Sequence, residues 1–160
     1  MSDWVEAGQK APDFSLPADD GTKVKLSQLR GSPVVLYFYP RDDTPGCTRE
    51  ACAFRDQKAE LARRGAKVLG VSSDGLESHE KFRDKYQLNF PLLADTEHQV
   101  AEKYGAWREK VRFGNKSMGI QRSTFLIDAE GMVRQVWKNV QVDGHDGEVL
   151  AALDALKTGN

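Results

Sequence analysis

The stretch that most restricts this chain is Val34-Val35-Leu36-Tyr37-Phe38-Tyr39, set between Pro33 and Pro40. Six β-branched, aliphatic and aromatic residues in a row, with no polar alternation, suit a strand buried on both faces. Such a strand needs layers packed above and below it, which points to an α/β architecture built on a central sheet. The segment that follows is Pro40-Arg41-Asp42-Asp43-Thr44-Pro45-Gly46-Cys47, with Cys52 five residues further on. Both cysteines of the chain therefore lie just past its most apolar run.

The rest of the pattern supplies the layers. Residues 13–16 and 22–26 alternate around a turn and predict a small N-terminal hairpin, after an irregular lead-in over 1–12. Ser27 is placed to cap a single helical turn closed by Gly31. A helix is predicted over 45–64, stopped by Gly65, then a buried strand over 66–72 and a helix over 75–86. A brief strand over 89–94 and a short helix over 96–104 follow. Residues 105–119 mix Trp107, Phe113 and Met118 with four Lys or Arg residues. They read as loop with possible strand; the three apolar side chains either rim a pocket or pack, and packing is the favoured reading. Residues 123–128 and 133–137 flank Ala129-Glu130-Gly131-Met132 as a β-hairpin. A final helix opens near Asp143, with Val149, Leu150, Leu153 and Leu156 as its buried stripe. Without the N-terminal hairpin and the 105–119 segment, the order is β-α-β-α-β-β-α. That is the thioredoxin-like arrangement: a central mixed β-sheet flanked by helices, here with an N-terminal β-hairpin extension. No repeat or linker divides residues 1–160, so one domain is expected.

Composition removes several function classes. The 160 residues carry 23 basic and 24 acidic side chains, a net charge of −1. This balance argues against an electrostatic grip on nucleic acid or an anionic membrane. No apolar run approaches the length of a membrane span. Residues 1–6 have neither a basic nor an apolar leader segment, which leads us to expect a cytoplasmic protein. Two cysteines do not make a secreted disulfide scaffold, and in a reducing compartment a close pair suggests redox or metal chemistry.

Thr44, Pro45, Gly46 and Cys47 fit the N-cap, N1, N2 and N3 positions of a helix. Cys47 then sits by free N–H donors and the positive end of the helix dipole, both of which favour a thiolate. The dipole contributes only ~0.3–1 kcal/mol, too little to ionise a thiol whose free pKa is ~8.5. A cation is required. Full ionisation of a thiol that is roughly 3% thiolate at pH 7 gains at most about 30-fold. Larger acceleration must come from placing and stabilising the reaction partner. Arg41 and Arg49 are the nearest cations in sequence, and the C-terminal half offers Arg122. In an unbroken helix, Cα atoms five positions apart are roughly 8.6 Å from each other, beyond the ~7 Å a disulfide tolerates. A Cys47–Cys52 bond therefore requires the first turns to unwind, which Gly46 makes easier. Ala51, Phe54 and Leu61 share a face with Cys47, Lys58 being the exception, and Cys52 falls off that face. The competing readings are two plain packing cysteines or a metal site. The latter is disfavoured because Cys-x4-Cys lacks ligand spacing and His79, His98 and His145 lie on separate elements. A Cys–His hydrolase would need a His and an Asn or Asp to meet Cys47 in space, which the sequence leaves open.

At these residues the chain resembles a peroxiredoxin of the bacterioferritin comigratory protein or peroxiredoxin Q group. The family motif Pro-x-x-x-Thr/Ser-x-x-Cys is matched by Pro40, Thr44 and Cys47. Further matches are Ala11-Pro12-Asp13-Phe14, Val35 to Pro40, Thr44 to Thr48, Gly70-Val71-Ser72, and Arg122 to Asp128. The resemblance implies a thiol peroxidase with no metal or other cofactor. Cys47 would attack the peroxide and become a sulfenic acid. Cys52 matches the resolving cysteine some members carry, implying an intramolecular Cys47–Cys52 disulfide. Thr44 would hydrogen-bond the peroxide, Pro40 would wall the pocket, and Arg122 would hold the thiolate and the developing charge. The implied partners are a hydroperoxide substrate and thioredoxin or a glutaredoxin-like reductant, and the implied state is a monomer. Some members place the resolving cysteine on the next helix; residues 75–86 contain none here. On the same fold, a disulfide oxidoreductase would use Cys-x-x-Cys instead. A redox-switched binding or chaperone protein, exposing apolar surface as the helix unwinds, is the non-enzymatic alternative.

Overall fold

A computed structural model describes residues 3–158. The apolar run forms β3 (Val34–Phe38), preceded by β1 (Ser15–Pro17) and β2 (Lys23–Lys25), and every residue of β3 is buried. It pairs in parallel with β4 (Lys67–Ser72) and antiparallel with β8 (Ser123–Ile127). With β5 (Leu92–Ala94) and β9 (Val133–Trp137) the five-stranded order is β5-β4-β3-β8-β9. The mixed sheet expected from the pattern is thus present, with β3 at its centre.

Strand alternation divides the interior into two layers. Val34, Leu36 and Phe38 face a core completed by Phe125, Ile127 and Tyr104. Tyr104 belongs to α4 (Gln99–Tyr104). Val35, Tyr37 and Tyr39 face the other core, against α1 (Pro45–Asp56), α3 (Leu76–Tyr86) and α5 (His145–Thr158) through Cys47, Phe54, Phe82, Val149 and Leu153. Helices therefore cover both faces, as an all-apolar central strand demands. The β1–β2 hairpin runs on to the sheet edge, where Ala18 bridges Leu93 and the Asp19 carboxylate accepts from the Leu92 amide at 2.9 Å. This covers an otherwise unpaired strand edge.

Ser27 caps no helix: the turn there is a 3-10 helix over Leu26–Leu29 that follows Lys25 and has no side-chain cap. Two further expectations need correction. The helix expected over 45–64 is broken at Gln57 (φ −93°, ψ 13°) into α1 and α2 (Lys58–Arg63). An unbroken helix would carry Lys58 onto the buried stripe with Phe54 and Leu61. After the break Lys58 is exposed, its ammonium donates to the Asn89 carbonyl, and Leu61 stays buried. The Gln57 side chain holds the break by donating to Asp146 of α5 at 2.9 Å. The second correction concerns 105–119, which forms an antiparallel ribbon of β6 (Trp107–Arg112) and β7 (Asn115–Ile120). Its turn places Phe113 and Gly114 at φ 54° and 79°. Trp107 packs, stacked on His98 at 3.9 Å, but Phe113 is 95% exposed and Met118 is exposed, so neither has a packing role. Among the described residues, no helix is long and apolar enough to cross a membrane.

Candidate active site

β3 ends at Phe38; the buried Tyr39 and the half-buried Pro40 follow, and residues 41–44 lead into α1. Thr44 has the extended backbone of an N-cap (φ −101°, ψ 157°) and Pro45 is the first helical residue. The threonine side chain does not cap the helix, however. Its hydroxyl donates to the Arg41 carbonyl at 2.9 Å, so its lone pairs face away from that bond. The early amides of α1 consequently lack a side-chain partner at the Thr44 end. Cys47 stands in the first turn and is 1% exposed. Cys52 is half-buried, and the two thiols are unbridged within one continuous helix.

Arg122 reaches the thiol from across the sheet. Ser123, the first residue of β8, pairs with Phe38, so Arg122 emerges beside the end of β3 and above the start of α1. Its Nη2 donates to Cys47 Sγ at 3.3 Å and its Nη1 donates to Glu50 Oε1 at 2.8 Å. Gly46 makes this approach possible: a methyl group there would stand 3.0 Å from Nη2. Of the two cations nearer in sequence, Arg41 is exposed and Arg49 faces Asp143 at 3.7 Å in solvent.

Glu50 is the residue that reading the sequence for reactive groups passed over. It is 2% exposed, and burial pushes its pKa up to about 7 while the Arg122 guanidinium pulls it back down. Burial also works against the charge of Arg122, but Glu50 and then Cys47 raise its pKa on balance. The signal was available, since Glu50 lies three residues from Cys47 and so shares the buried face of α1. A carboxylate on a buried face needs a cation. Tyr37 lies beneath the site with its ring against Gly70, where a Cβ would stand 3.0 Å from the phenol. Its hydroxyl and Glu50 Oε2 are, among the described residues, the buried side-chain polar atoms without a hydrogen-bond partner. Burial raises the Tyr37 pKa well above the phenol range, and the Glu50 and Cys47 charges add to it. Unpaired groups of this kind cost roughly 1–3 kcal/mol each, and here the cost is concentrated under the thiol. Lys110 of β6, half-buried, lies in the same field. Burial lowers its pKa, the charge of Arg122 lowers it further, and Cys47 opposes both.

The arrangement is a buried thiol at a helix start, a guanidinium on it, and a carboxylate fixing the guanidinium. It can hold a thiolate and stabilise negative charge that develops next to it. Among the described residues, no cluster of His, Cys, Asp or Glu forms a metal-binding group.

Comparisons with known proteins agree with this geometry. Residues 7–136 match the AhpC/TSA family. The chain is 51% identical to "Peroxiredoxin Bcp" of Bacillus subtilis, over 93% of this chain and 95% of that protein. It is 45% identical to "Peroxiredoxin Bcp" of Escherichia coli, over 91% and 94%. Among solved structures, the bacterioferritin comigratory protein of Xanthomonas campestris, described in terms of its alkyl peroxide reduction activity, superposes with a TM-score of 0.88. That match has 40% identity and covers 94% of this chain and 98% of that one. A cysteine-to-serine mutant of Xylella fastidiosa PrxQ gives 0.91 at 32% identity, covering 98% and 99%. With helix, thiol, guanidinium and carboxylate in place, and relatives of this similarity along nearly its full length, the chain belongs to the AhpC/TSA family, in the bacterioferritin comigratory protein or peroxiredoxin Q group of the peroxiredoxins.

Proposed function

We propose that this peroxiredoxin reduces hydrogen peroxide and organic hydroperoxides through Cys47, with Cys52 as its resolving partner. The observation that carries the reading is the Arg122 guanidinium bonded at once to Cys47 Sγ and to buried Glu50. The Cys47 thiolate attacks the terminal peroxide oxygen, the O–O bond breaks, and water or an alcohol leaves after taking a proton. Cys47 is then a sulfenic acid, two electrons more oxidised. Thr44, whose hydroxyl donates to Arg41, accepts a hydrogen bond from the peroxide O–H. Pro40 walls the pocket. Arg122 and the amides of Gly46 and Cys47 stabilise the charge shifting onto oxygen.

Cys52 then attacks the sulfenic sulfur, expelling water and forming the intramolecular Cys47–Cys52 disulfide. Because both residues sit in one helix, the first turns of α1 unwind for this step. Thioredoxin or a glutaredoxin-like dithiol reopens the disulfide by thiol exchange. The alkyl peroxide reduction attributed to the Xanthomonas relative supports an organic hydroperoxide as one substrate. We further propose a reducing compartment, where a dithiol reductant is at hand for the exchange, and, from the resemblance to this peroxiredoxin group, a monomeric state.

Stopped-flow tryptophan fluorescence of the reduced protein mixed with hydrogen peroxide tests the reading. A transient far faster than the oxidation of free cysteine is expected. Oxidation no faster than that of free cysteine overturns it.

A further inference from the structure

Behind the loop that carries the peroxide pocket lies a buried histidine that the chemistry above does not use. His79 of α3 has no solvent exposure. Its Nδ1 is 2.7 Å from Asp42 Oδ2 and its Nε2 is 2.9 Å from the Leu93 carbonyl oxygen of β5. A carbonyl only accepts, so Nε2 carries a proton. The Asp42 carboxylate already accepts from the Tyr39 hydroxyl at 2.6 Å and the Ser78 hydroxyl at 2.7 Å. Facing two acceptors, the ring is fully bonded only when both nitrogens are protonated.

Asp42 is the midpoint of the segment from Pro40 to Thr44, two residues from each. Its amide donates to Asp74 Oδ2 at 2.7 Å. The next residue, Asp43, is held in the left-handed region (φ 56°) and accepts from Lys85 at 2.8 Å and from Tyr86 at 2.7 Å, both on α3. The chain before α1 is thus tied to α3 at consecutive residues, while α1 itself must open for resolution.

We propose that His79 is a positioning residue of the peroxide site: as an imidazolium bonded at both ring nitrogens, it clamps Asp42 to α3 and β5. In this way it fixes Pro40 and Thr44 about Cys47. The inference rests on the peroxidase reading for its consequence, but not for the protonation state of the ring.

The groups facing the ring are Asp42 on the loop, Asp74 on the β4–α3 connection, the Tyr39 hydroxyl on β3 and Ser78 on α3 itself. Burial lowers the pKa of His79, yet the hydrogen bond and charge of Asp42 raise it on balance above its ordinary 6.5. A raised histidine contributes fully below its unfolded pKa and is lost as pH rises through the folded value. The clamp accordingly fails on the alkaline side.

The test is nitrogen-detected NMR of the histidine rings in the reduced protein, with peroxide reactivity followed by stopped flow from about pH 6 to 9.5. At pH 7 both His79 nitrogens are expected to be protonated, and reactivity is expected to fall at the pH where the ring loses its proton. His79→Gln should slow the peroxide step about tenfold at pH 7, and Asp42→Asn should move the alkaline fall to lower pH. An unprotonated His79 nitrogen at pH 7 overturns the proposal. So does a His79→Gln rate within twofold of wild type with an unchanged pH profile. Should the variants fail to fold, the wild-type ring titration set against the wild-type rate profile still decides. A wild-type protein no more reactive than free cysteine would sink the peroxidase reading while leaving the ring measurement intact.

Discussion

The two cysteines share one helix and live in different surroundings. Cys47 faces the core at 1% exposure, with the Arg122 guanidinium on its sulfur and Glu50 holding that guanidinium. Cys52, little more than a turn later, is half-buried, and among the described residues none donates a hydrogen bond to its sulfur. The difference teaches that reactivity here is a property of what the sheet brings across to one face of α1. In the cycle we propose, the other face needs only a thiol that becomes reachable when the helix opens. A disulfide between the faces would then demand that the packed face be given up at each turnover.

The largest effect should follow from removing the buried thiol. Cys47→Ser should abolish the fast fluorescence transient altogether, leaving background oxidation. On the other face, Cys52→Ser should keep the first transient at wild-type rate yet stop at the sulfenic acid, with faster over-oxidation visible by mass spectrometry. If that variant still turns over normally with thioredoxin, the division of labour between the faces is wrong.

Next in size is Arg122→Ala, which leaves Glu50 buried beside no cation. Breaking a buried pair costs roughly 3–5 kcal/mol, or about 10 °C in Tm for a chain of this length. A thermal melt with a shift of only a degree or two would show the pair to be solvent-screened.

Glu50→Gln probes the same pair through pH. Glu50 is raised from 4.5 to about 7, so the folded state is penalised as the unfolded state ionises first. Stability present below about pH 4.5 should decline, on the order of 3 kcal/mol, as pH rises to about 7. Urea titrations at the two ends should show this slope in the wild type and its absence in the variant. The smallest effect is expected for Gly46→Ala. Alanine favours helix over glycine by ~1 kcal/mol, and the added methyl would press on Arg122 Nη2. Disulfide formation should slow about fivefold, measured as loss of free thiol after a single peroxide addition.

Much of the fold was written locally. The unbroken apolar run of residues 34–39 demanded a strand covered on both faces, and Thr44-Pro45 announced the start of α1. Both signals depend on neighbours in sequence, and β3 and α1 begin where they indicate. The 123–137 hairpin was equally legible, from two strand-forming runs flanking a short turn that contains Gly131. The break at Gln57 was not, because the sequence there has no proline or glycine. What interrupts the helix is a packing conflict at Lys58 and a bond to Asp146, some ninety residues away. Phe113 was misread for a related reason, since an aromatic residue in a ribbon says nothing of whether another layer lies over it.

The site divides along the same line. The sequence by itself determined that Cys47 would stand at a helix start, and that it needed a cation which the helix dipole could not replace. It also determined that Cys52 could meet Cys47 only by unwinding, since that follows from helix geometry alone. Which cation arrives was decided by β8 lying beside β3, which sets Arg122 on the thiol and leaves Arg41 and Arg49 in solvent. The same juxtaposition made Glu50 a buried partner, while the packing of α3 on the loop and on β5 set His79 between Asp42 and Leu93, because burial and charge pairing exist only once distant segments share a low-dielectric interior.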